Sequence, residues 1–262
     1  MTLFRFAVLP YVNALPLVHF IPDVCPGAEL VYRTPRQALD ALLTNRVDAA
    51  LVPIIDHFQN PHVSRVKDLG ICAGGDVTSV LLLCGRTLRE VRTVRPDPES
   101  RTSNVLVQIL LADHFHLAPE ILSDAEEAEA DACVCIGDRA LIGPPAMDTY
   151  DLAGEWKRMT GLPFVFAAWL VRRSCPNMEG ISGVLHAAKE LGCQSLRVLA
   201  QMAAARLNLP EDRCHDYLGR RLHYDLGPRE HQAIELFRRL AATVPSPDVN
   251  RTLPAVSFEG RM

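Results

Sequence analysis

Three hydroxyl side chains, those of Ser100, Thr102 and Ser103, cluster where the sequence predicts the start of a helix. Ser100 stands at the N-cap position, and apolar residues recur at helical spacing over residues 105–110. The first turn of a helix leaves backbone N–H groups unpaired and carries partial positive charge, so hydroxyls beside it can hold an anion. The stretch therefore predicts a carboxylate or phosphate site. The alternative is a well-capped surface helix.

Arg101 is the only cation inside the clustered polar motifs. Its guanidinium offers parallel N–H groups that match the two oxygens of a carboxylate. We therefore predict Arg101 as a ligand contact, although a side chain in the first turn of a helix could equally point to solvent.

Three further polar groups fall at predicted strand ends or helix starts: Asn13, Thr78 with Ser79, and Gly137 with Asp138. Ligands of open α/β sheets bind outside the carboxyl ends of the strands, so these groups would converge with the hydroxyl cluster if two lobes faced each other. Each also has a plainer interpretation. Asn13 could cap a helix, Ser79 could be a buried hydroxyl bonded to a carbonyl, and Asp138 could bond its own backbone instead of acting as a general base.

The elements that position these groups follow from the hydrophobic pattern. Predicted strands cover residues 3–9, 28–32 and 48–53, and the helices between them begin at Asn13 and Thr34. This β-α-β-α-β order predicts a parallel sheet with helices on its faces.

A second set of elements supports the remaining polar groups. It comprises a strand over residues 77–84, an α/β unit from Thr93 with a helix to about Phe115, a strand over 131–138, a helix over 151–160 and a strand over 162–171. Amphipathic helices are predicted after it, over residues 178–191, 194–206, 211–219 and 229–243. We expect the acidic stretch 124–131 to be solvated and the tail 245–262 to be extended or poorly ordered.

The composition limits the classes of function. The chain has 262 residues, 48% of them hydrophobic, a net charge of −4 and a pI near 6.1. It can bury a large core, but it lacks the excess of Lys and Arg that a nucleic-acid or membrane-surface partner requires. The first residues show no basic leader, and no apolar run reaches the roughly 20 residues of a membrane helix, so we expect a cytoplasmic protein.

Familiar catalytic and metal motifs are missing from the sequence. The eight cysteines are scattered without a CxxC pair, which predicts buried thiols in a reducing compartment. GxSxG, HExxH, Walker and GxGxxG motifs are also missing. We therefore expect chemistry without a covalent intermediate, a metal or a cofactor.

Six motifs in order give the chain a specific resemblance to a known family. They are PYVNALPL (residues 10–17), VDAALVP (47–53), VTSVLL (77–82), SRTS (100–103), IGD (136–138) and DLAGEWKRMTGLPFVF (151–166). On these motifs the sequence resembles the chorismate dehydratases of the futalosine pathway of menaquinone biosynthesis. It departs mildly, with Val12 where the family commonly has Leu and a variable turn at residues 98–99, and we expect neither departure to affect the site.

The resemblance implies an α/β fold of the periplasmic-binding-protein-like (type II) class, in which two lobes clamp a ligand. The chain would cross between the lobes near residues 86–92 and 169–173. The first lobe would comprise residues 1–88 and 172–262, with the C-terminal helices packed on it, and the second lobe residues 89–171.

The implied activity is the loss of water from chorismate, a small dicarboxylate, to give 3-[(1-carboxyvinyl)oxy]benzoate. Ser79 and the hydroxyls around Ser100, with Arg101, would hold the carboxylates, and Asn13 would bond near the reacting centre. Because the motifs contain no His or Lys, we expect the enolpyruvyl carboxylate of the substrate to remove the ring proton, with Asp138 as the second choice. The other predicted substrate contacts are Tyr11, Thr78, Thr102, Ser103 and Gly137.

Three alternatives stay open. The naphthoate-forming synthase of the same pathway shares the fold but usually has a CPNDT-type sequence where this chain has YVNAL at residues 11–15. The chain could instead clamp a small carboxylate without catalysis, because fold does not fix function. A ligand-sensing regulator domain would normally adjoin a helix-turn-helix segment, and we expect no room for one before the first strand. The sequence leaves a homodimer open.

Overall fold

The computed structural model describes residues 4–123, 129–143 and 146–244. The strands in these residues are β1 (Arg5–Val8), β2 (Glu29–Tyr32), β3 (Ala49–Pro53), β4 (Val63–Ala73), β5 (Val80–Cys84), β6 (Thr93–Arg95), β7 (Glu120–Ile121), β8 (Ala132–Ile136), β9 (Asp148–Asp151), β10 (Phe164–Arg172) and β11 (Leu222–Asp225). The predicted tail at 245–262 and most of the acidic stretch at 124–131 lie outside the described residues.

The α-helices are α1 (Leu15–Val18), α2 (Ile21–Val24), α3 (Pro35–Leu43), α4 (Ile54–Gln59), α5 (Arg101–Ile109), α6 (Gly137–Ile142), α7 (Leu152–Thr160), α8 (Met178–Gln194), α9 (Leu196–Leu207), α10 (Glu211–Asp216) and α11 (Pro228–Ala241). Short 3-10 turns cover Val12–Ala14 and Leu88–Glu90, and π-helical segments at Leu110–His114 and Tyr217–Arg221 extend α5 and α10. In the described part of the chain, no helix combines the length and apolar character needed to cross a membrane.

The first sheet has the strand order β11-β4-β10-β3-β1-β2. Strands β2, β1 and β3 are parallel, as the alternating pattern predicted. The other pairs of neighbours, β3–β10, β10–β4 and β4–β11, are antiparallel. The sheet is therefore mixed, and the prediction of a parallel sheet is correct for its first three strands only. Strand β4 escaped prediction because Arg65, Lys67 and Asp68 interrupt its apolar pattern.

The second sheet has the order β7-β6-β8-β5-β9 and includes β5, which was predicted to belong to the first lobe. Every residue of β5 is buried, between β8 and β9. Strand β10 lies in the first sheet. The chain therefore crosses between the sheets over residues 74–79 and 152–163, which corrects the predicted crossings near 86–92 and 169–173 and the boundaries drawn from them. The charged run at 86–92 is a connection between strands of the second sheet.

The C-terminal helices pack against the first sheet and its helices, as predicted. Helix α8 lies on α1, α2 and β4, and α11 lies on α4 and β10. The closest approach is at Gly192, where an added Cβ would stand 2.0 Å from the carbonyl oxygen of Pro16.

An aromatic cluster anchors the second crossing. Trp156 in α7 lies 5.3 Å from the ring of Phe164 in β10 and 6.0 Å from that of Phe237 in α11, between ring centroids. The indole N–H of Trp156 also donates to the carbonyl oxygen of Pro163 at 3.0 Å. The crossing is thereby packed into a core that both sheets share.

Candidate active site

A cleft of about 580 Å³, open to solvent, is lined by residues from both sheets and from the first crossing. Seven of the ten predicted site residues line it: Tyr11, Asn13, Ser79, Ser100, Thr102, Ser103 and Gly137. Its apolar wall includes Leu9, Ile71, Val80, Ile136, Phe166 and Leu222. The predicted convergence of polar groups is therefore correct for these seven residues.

Asn13 lies in the 3-10 turn Val12–Ala14 that follows β1. The N-cap of this turn is Tyr11, and that of α1 is Ala14, so Asn13 does not act as a helix cap. Its Oδ1 atom is buried and has no hydrogen-bond partner among the described residues. A buried polar atom without a partner is costly, and this oxygen can accept a hydrogen bond from a ligand in the cleft.

Ser79 is buried beside the hydroxyl of Tyr217, which donates to its Oγ at 2.8 Å. The side chain of Asn13 lies beside the same hydroxyl and opposes the effect of burial on its pKa. Burial raises the pKa of Tyr217, so the phenol stays neutral. Tyr217 is not among the predicted site residues, because nothing in the predicted helix over residues 211–219 marks its side chain as part of a polar site.

Helix α5 begins as predicted. The Oγ of Ser100 accepts from the backbone N–H of Ser103 at 3.3 Å, and the Oγ1 of Thr102 accepts from the N–H of Ile55 at 3.4 Å. The three hydroxyl residues are each less than a tenth exposed and line the cleft. The partial positive charge of the helix start thus lies at the cleft wall, where it favours an anion.

Arg101 is not brought to the cleft. Its guanidinium pairs with the carboxylate of Asp56 and donates to the side-chain oxygen of Gln59, both in α4. These contacts join α5 to α4, so Arg101 links the two lobes. Among the described residues that line the cleft there is neither Arg nor Lys, and Glu99 alone is charged. An anionic ligand would be held by hydroxyls and backbone N–H groups.

The buried carboxyl of Asp56 predicts a pH-dependent stability. Burial raises its pKa to about 6, against the opposing charge of Arg101. The folded protein then holds this proton more tightly than the unfolded chain, so the contribution of Asp56 to stability falls as the pH rises from about 4 to about 6. We expect the free energy of unfolding, taken relative to the Asp56→Asn variant, to decrease over that window. Urea unfolding of both proteins across it measures the difference, and an increase with pH would contradict the assignment.

Asp138 also lies away from the cleft wall. Its carboxylate accepts from the backbone N–H of Val12 at 3.0 Å and pairs with Arg206 of α9 at 3.0 Å. Arg206 also donates to the carbonyl oxygen of Pro10. Burial raises the pKa of Asp138. Asp138 therefore fastens the second lobe to the segment that positions Asn13.

Thr78 lies behind the cleft, at the first crossing. Its φ is +64°, in the left-handed region that few residues other than glycine adopt. One oxygen of Asp151 accepts from the N–H groups of Val77 and Thr78, at 2.8 and 2.6 Å, and the other caps α7 by accepting from Ala153 and Gly154. Four backbone N–H groups thus hold this carboxylate, which fixes the backbone beside Ser79.

Gly137 and Tyr11 meet at close range across the cleft. Gly137 has a φ of +62°, and an added Cβ would lie 3.1 Å from the ring of Tyr11. The Tyr11 hydroxyl donates to the Oε2 atom of Glu99 at 2.6 Å. The turn at residues 98–99, which we expected to leave the site unaffected, places Glu99 in the cleft lining, where its bond to Tyr11 joins the two lobes.

Two α/β lobes with a ligand-sized cleft between them define a periplasmic-binding-protein-like fold. A protein from Candida albicans, CA3427, described as exhibiting the generic periplasmic binding protein structural fold, superimposes with a TM-score of 0.62 at 11% identity, covering 95% of this chain and 92% of that one. This likeness shows the fold alone.

The sequence places the chain more narrowly. Residues 4–243 match the model of the menaquinone biosynthesis family, and the chain belongs to that family. Chorismate dehydratase from Thermus thermophilus is 28% identical over 226 residues, which cover 76% of this chain and 81% of the relative. Chorismate dehydratase from Campylobacter jejuni is 30% identical over 185 residues, which cover 67% of this chain and 69% of the relative.

Proposed function

We propose that this protein is a chorismate dehydratase, which converts chorismate to 3-[(1-carboxyvinyl)oxy]benzoate and water in menaquinone biosynthesis. The observation that carries the proposal is the cleft in which Asn13 and Ser79 share a wall with the hydroxyl-rich start of α5. The two curated relatives named above support it. The apolar wall of the cleft and its few convergent hydroxyl groups also suit a small ring with two acidic substituents.

This reaction depends more on the orientation of the substrate than on strongly acidic or basic side chains. A proton leaves the ring carbon that bears the enolpyruvyl ether, the hydroxyl leaves its neighbour, and the new double bond completes an aromatic ring. Aromatisation supplies the driving force, so the protein needs mainly to bind and align the substrate and to exclude competing rearrangements.

The cleft suggests a role for each polar group. Ser100, Thr102 and Ser103, with the start of α5, hold a carboxylate of the substrate. Asn13 lies at the reacting centre and orients the enolpyruvyl carboxylate, which takes the ring proton. Glu99 is the one acid among the described cleft residues, and its carboxylate already accepts from Tyr11. The substrate therefore supplies its own base.

Incubation of the purified protein with chorismate tests the function. We expect the aromatic product to appear and to be separable by chromatography. Saturable binding of chorismate without product would instead identify a carboxylate-binding protein, and neither binding nor turnover would overturn the proposed function.

Replacement of Asp138 by Asn is expected to keep chorismate turnover within about threefold of the wild type. The amide oxygen can still accept from Val12, and a half-exposed ion pair such as that with Arg206 contributes only about 0–1 kcal/mol. Initial rates at saturating chorismate measure the effect. A loss of about 100-fold or more would make Asp138 the general base.

A further inference from the structure

We propose that Tyr217 is a positioning residue for this reaction, one that fixes the direction of the hydrogen bonds made by Asn13 and Ser79. The inference rests on the proposed function and deepens it. It assigns a role in the site to the C-terminal segment, which otherwise packs against the first sheet.

The geometry around Tyr217 is that of a built network. Its side chain is 1% exposed and lies at the start of the π-helical segment Tyr217–Arg221. Such segments are rare and often occur at functional sites. The hydroxyl lies 2.8 Å from the Oγ of Ser79, and the side chain of Asn13 lies beside it. One phenol therefore connects two residues of the cleft wall without lining the cleft itself.

The direction of the network follows from the amide. An Asn side chain donates only through its nitrogen, and the Oδ1 of Asn13 has no partner among the described residues, so Nδ2 is the atom that can donate to the phenol oxygen. The phenol donates its own proton to Ser79. The Ser79 hydroxyl can then donate its own proton to a ligand in the cleft.

The two ends of the network suit chorismate. Ser79 presents a donor, which a substrate carboxylate can accept. Asn13 presents an acceptor at Oδ1, which the ring hydroxyl can satisfy, and one remaining N–H. Burial raises the pKa of Tyr217, so the phenol keeps its proton. The direction of its hydrogen bond to Ser79 therefore does not change with pH.

Without this hydroxyl, the Asn13 amide and the Ser79 hydroxyl can each turn. Binding changes little, because the α5 hydroxyls that hold a carboxylate are untouched. For Tyr217→Phe we therefore expect kcat to fall about 10- to 100-fold while KM changes by less than about threefold.

Tyr224→Phe is the matched control. Tyr224 in β11 is equally buried, but its hydroxyl has no hydrogen-bond partner among the described residues. The substitution removes a phenolic oxygen from the same region of the protein and leaves the contacts of Tyr217 with Asn13 and Ser79 unchanged. We expect kcat and KM of this variant to stay within about twofold of the wild type. Tyr217→Phe should unfold at a somewhat lower temperature than Tyr224→Phe, because it alone loses a buried hydrogen bond, but both variants should be folded under the assay conditions.

A double variant separates positioning from general packing. In a Ser79→Ala background one of the two contacts of the Tyr217 hydroxyl is already lost, so adding Tyr217→Phe should lower kcat by a smaller factor than it does in the wild type. Full additivity, an unchanged kcat in Tyr217→Phe, a matching loss in Tyr224→Phe, or unfolding of Tyr217→Phe alone would overturn the proposal. A wild type that forms no product in the same assay would instead overturn the proposed function, and the role of Tyr217 with it.

Discussion

Asn13→Ala is expected to lower chorismate turnover by about 1000-fold or more in a protein that remains folded. Removing one preorganised polar group from an active site commonly costs about 100- to 1000-fold in kcat. The loss for Asn13 should lie at the upper end of this range, since its amide contacts the substrate in the proposed mechanism and also lies beside the Tyr217 hydroxyl. Its Oδ1 has no partner among the described residues, so truncation costs the fold little there.

Rates with chorismate, together with thermal unfolding, measure this effect. Asn177→Ala is the matched control, because Asn177 caps α8 by accepting from the N–H of Gly180 at 3.0 Å and lies outside the cleft lining. The control should lose about 1 kcal/mol of stability and no activity. Near wild-type rates for Asn13→Ala would remove Asn13 from the mechanism.

Gly192→Ala is expected to give the largest loss of stability, about 3 kcal/mol or more. The new methyl group would stand 2.0 Å from the carbonyl oxygen of Pro16, a backbone atom that cannot turn aside. Helix α8 would have to separate from α1, which overpacks the core. Because Pro16 lies three residues after Asn13, turnover should fall as well.

Gly183→Ala, in the same helix, tests whether this effect comes from the contact. An added Cβ at Gly183 meets nothing within 4 Å, so alanine should stabilise the helix there by about 0.5–1 kcal/mol. Urea unfolding of both variants provides the comparison. Similar changes at the two positions would mean that helix propensity, and not the approach to Pro16, governs α8.

Local patterns predicted the parts of the fold that depend on local chemistry. The Ser100 cap, the parallel β1–β3 unit and the burial of β8 each follow from neighbouring residues. The positions of the two crossings do not follow from local patterns, because the apolar sequence of a buried strand such as β5 is the same whichever sheet the strand joins. The charged residues at 86–92 suggested a linker but connect strands of one sheet.

The site could be predicted in part for the same reason. Hydroxyls and glycine at element ends mark a cleft, and seven of ten such residues line it. Arg101 could not be assigned, because Asp56 and Gln59, its partners, lie more than 40 residues away in sequence. Tyr217 lies 138 residues from Ser79, and no local pattern indicates that contact.

Asp151 has a mechanical consequence for the cleft. Its carboxylate holds the backbone of the first crossing at Val77 and Thr78, and it also begins α7, which leads into the second crossing. The two connections are therefore tied to each other at this carboxylate. We expect a rotation of one lobe against the other, which in proteins takes microseconds to milliseconds, to displace both connections together.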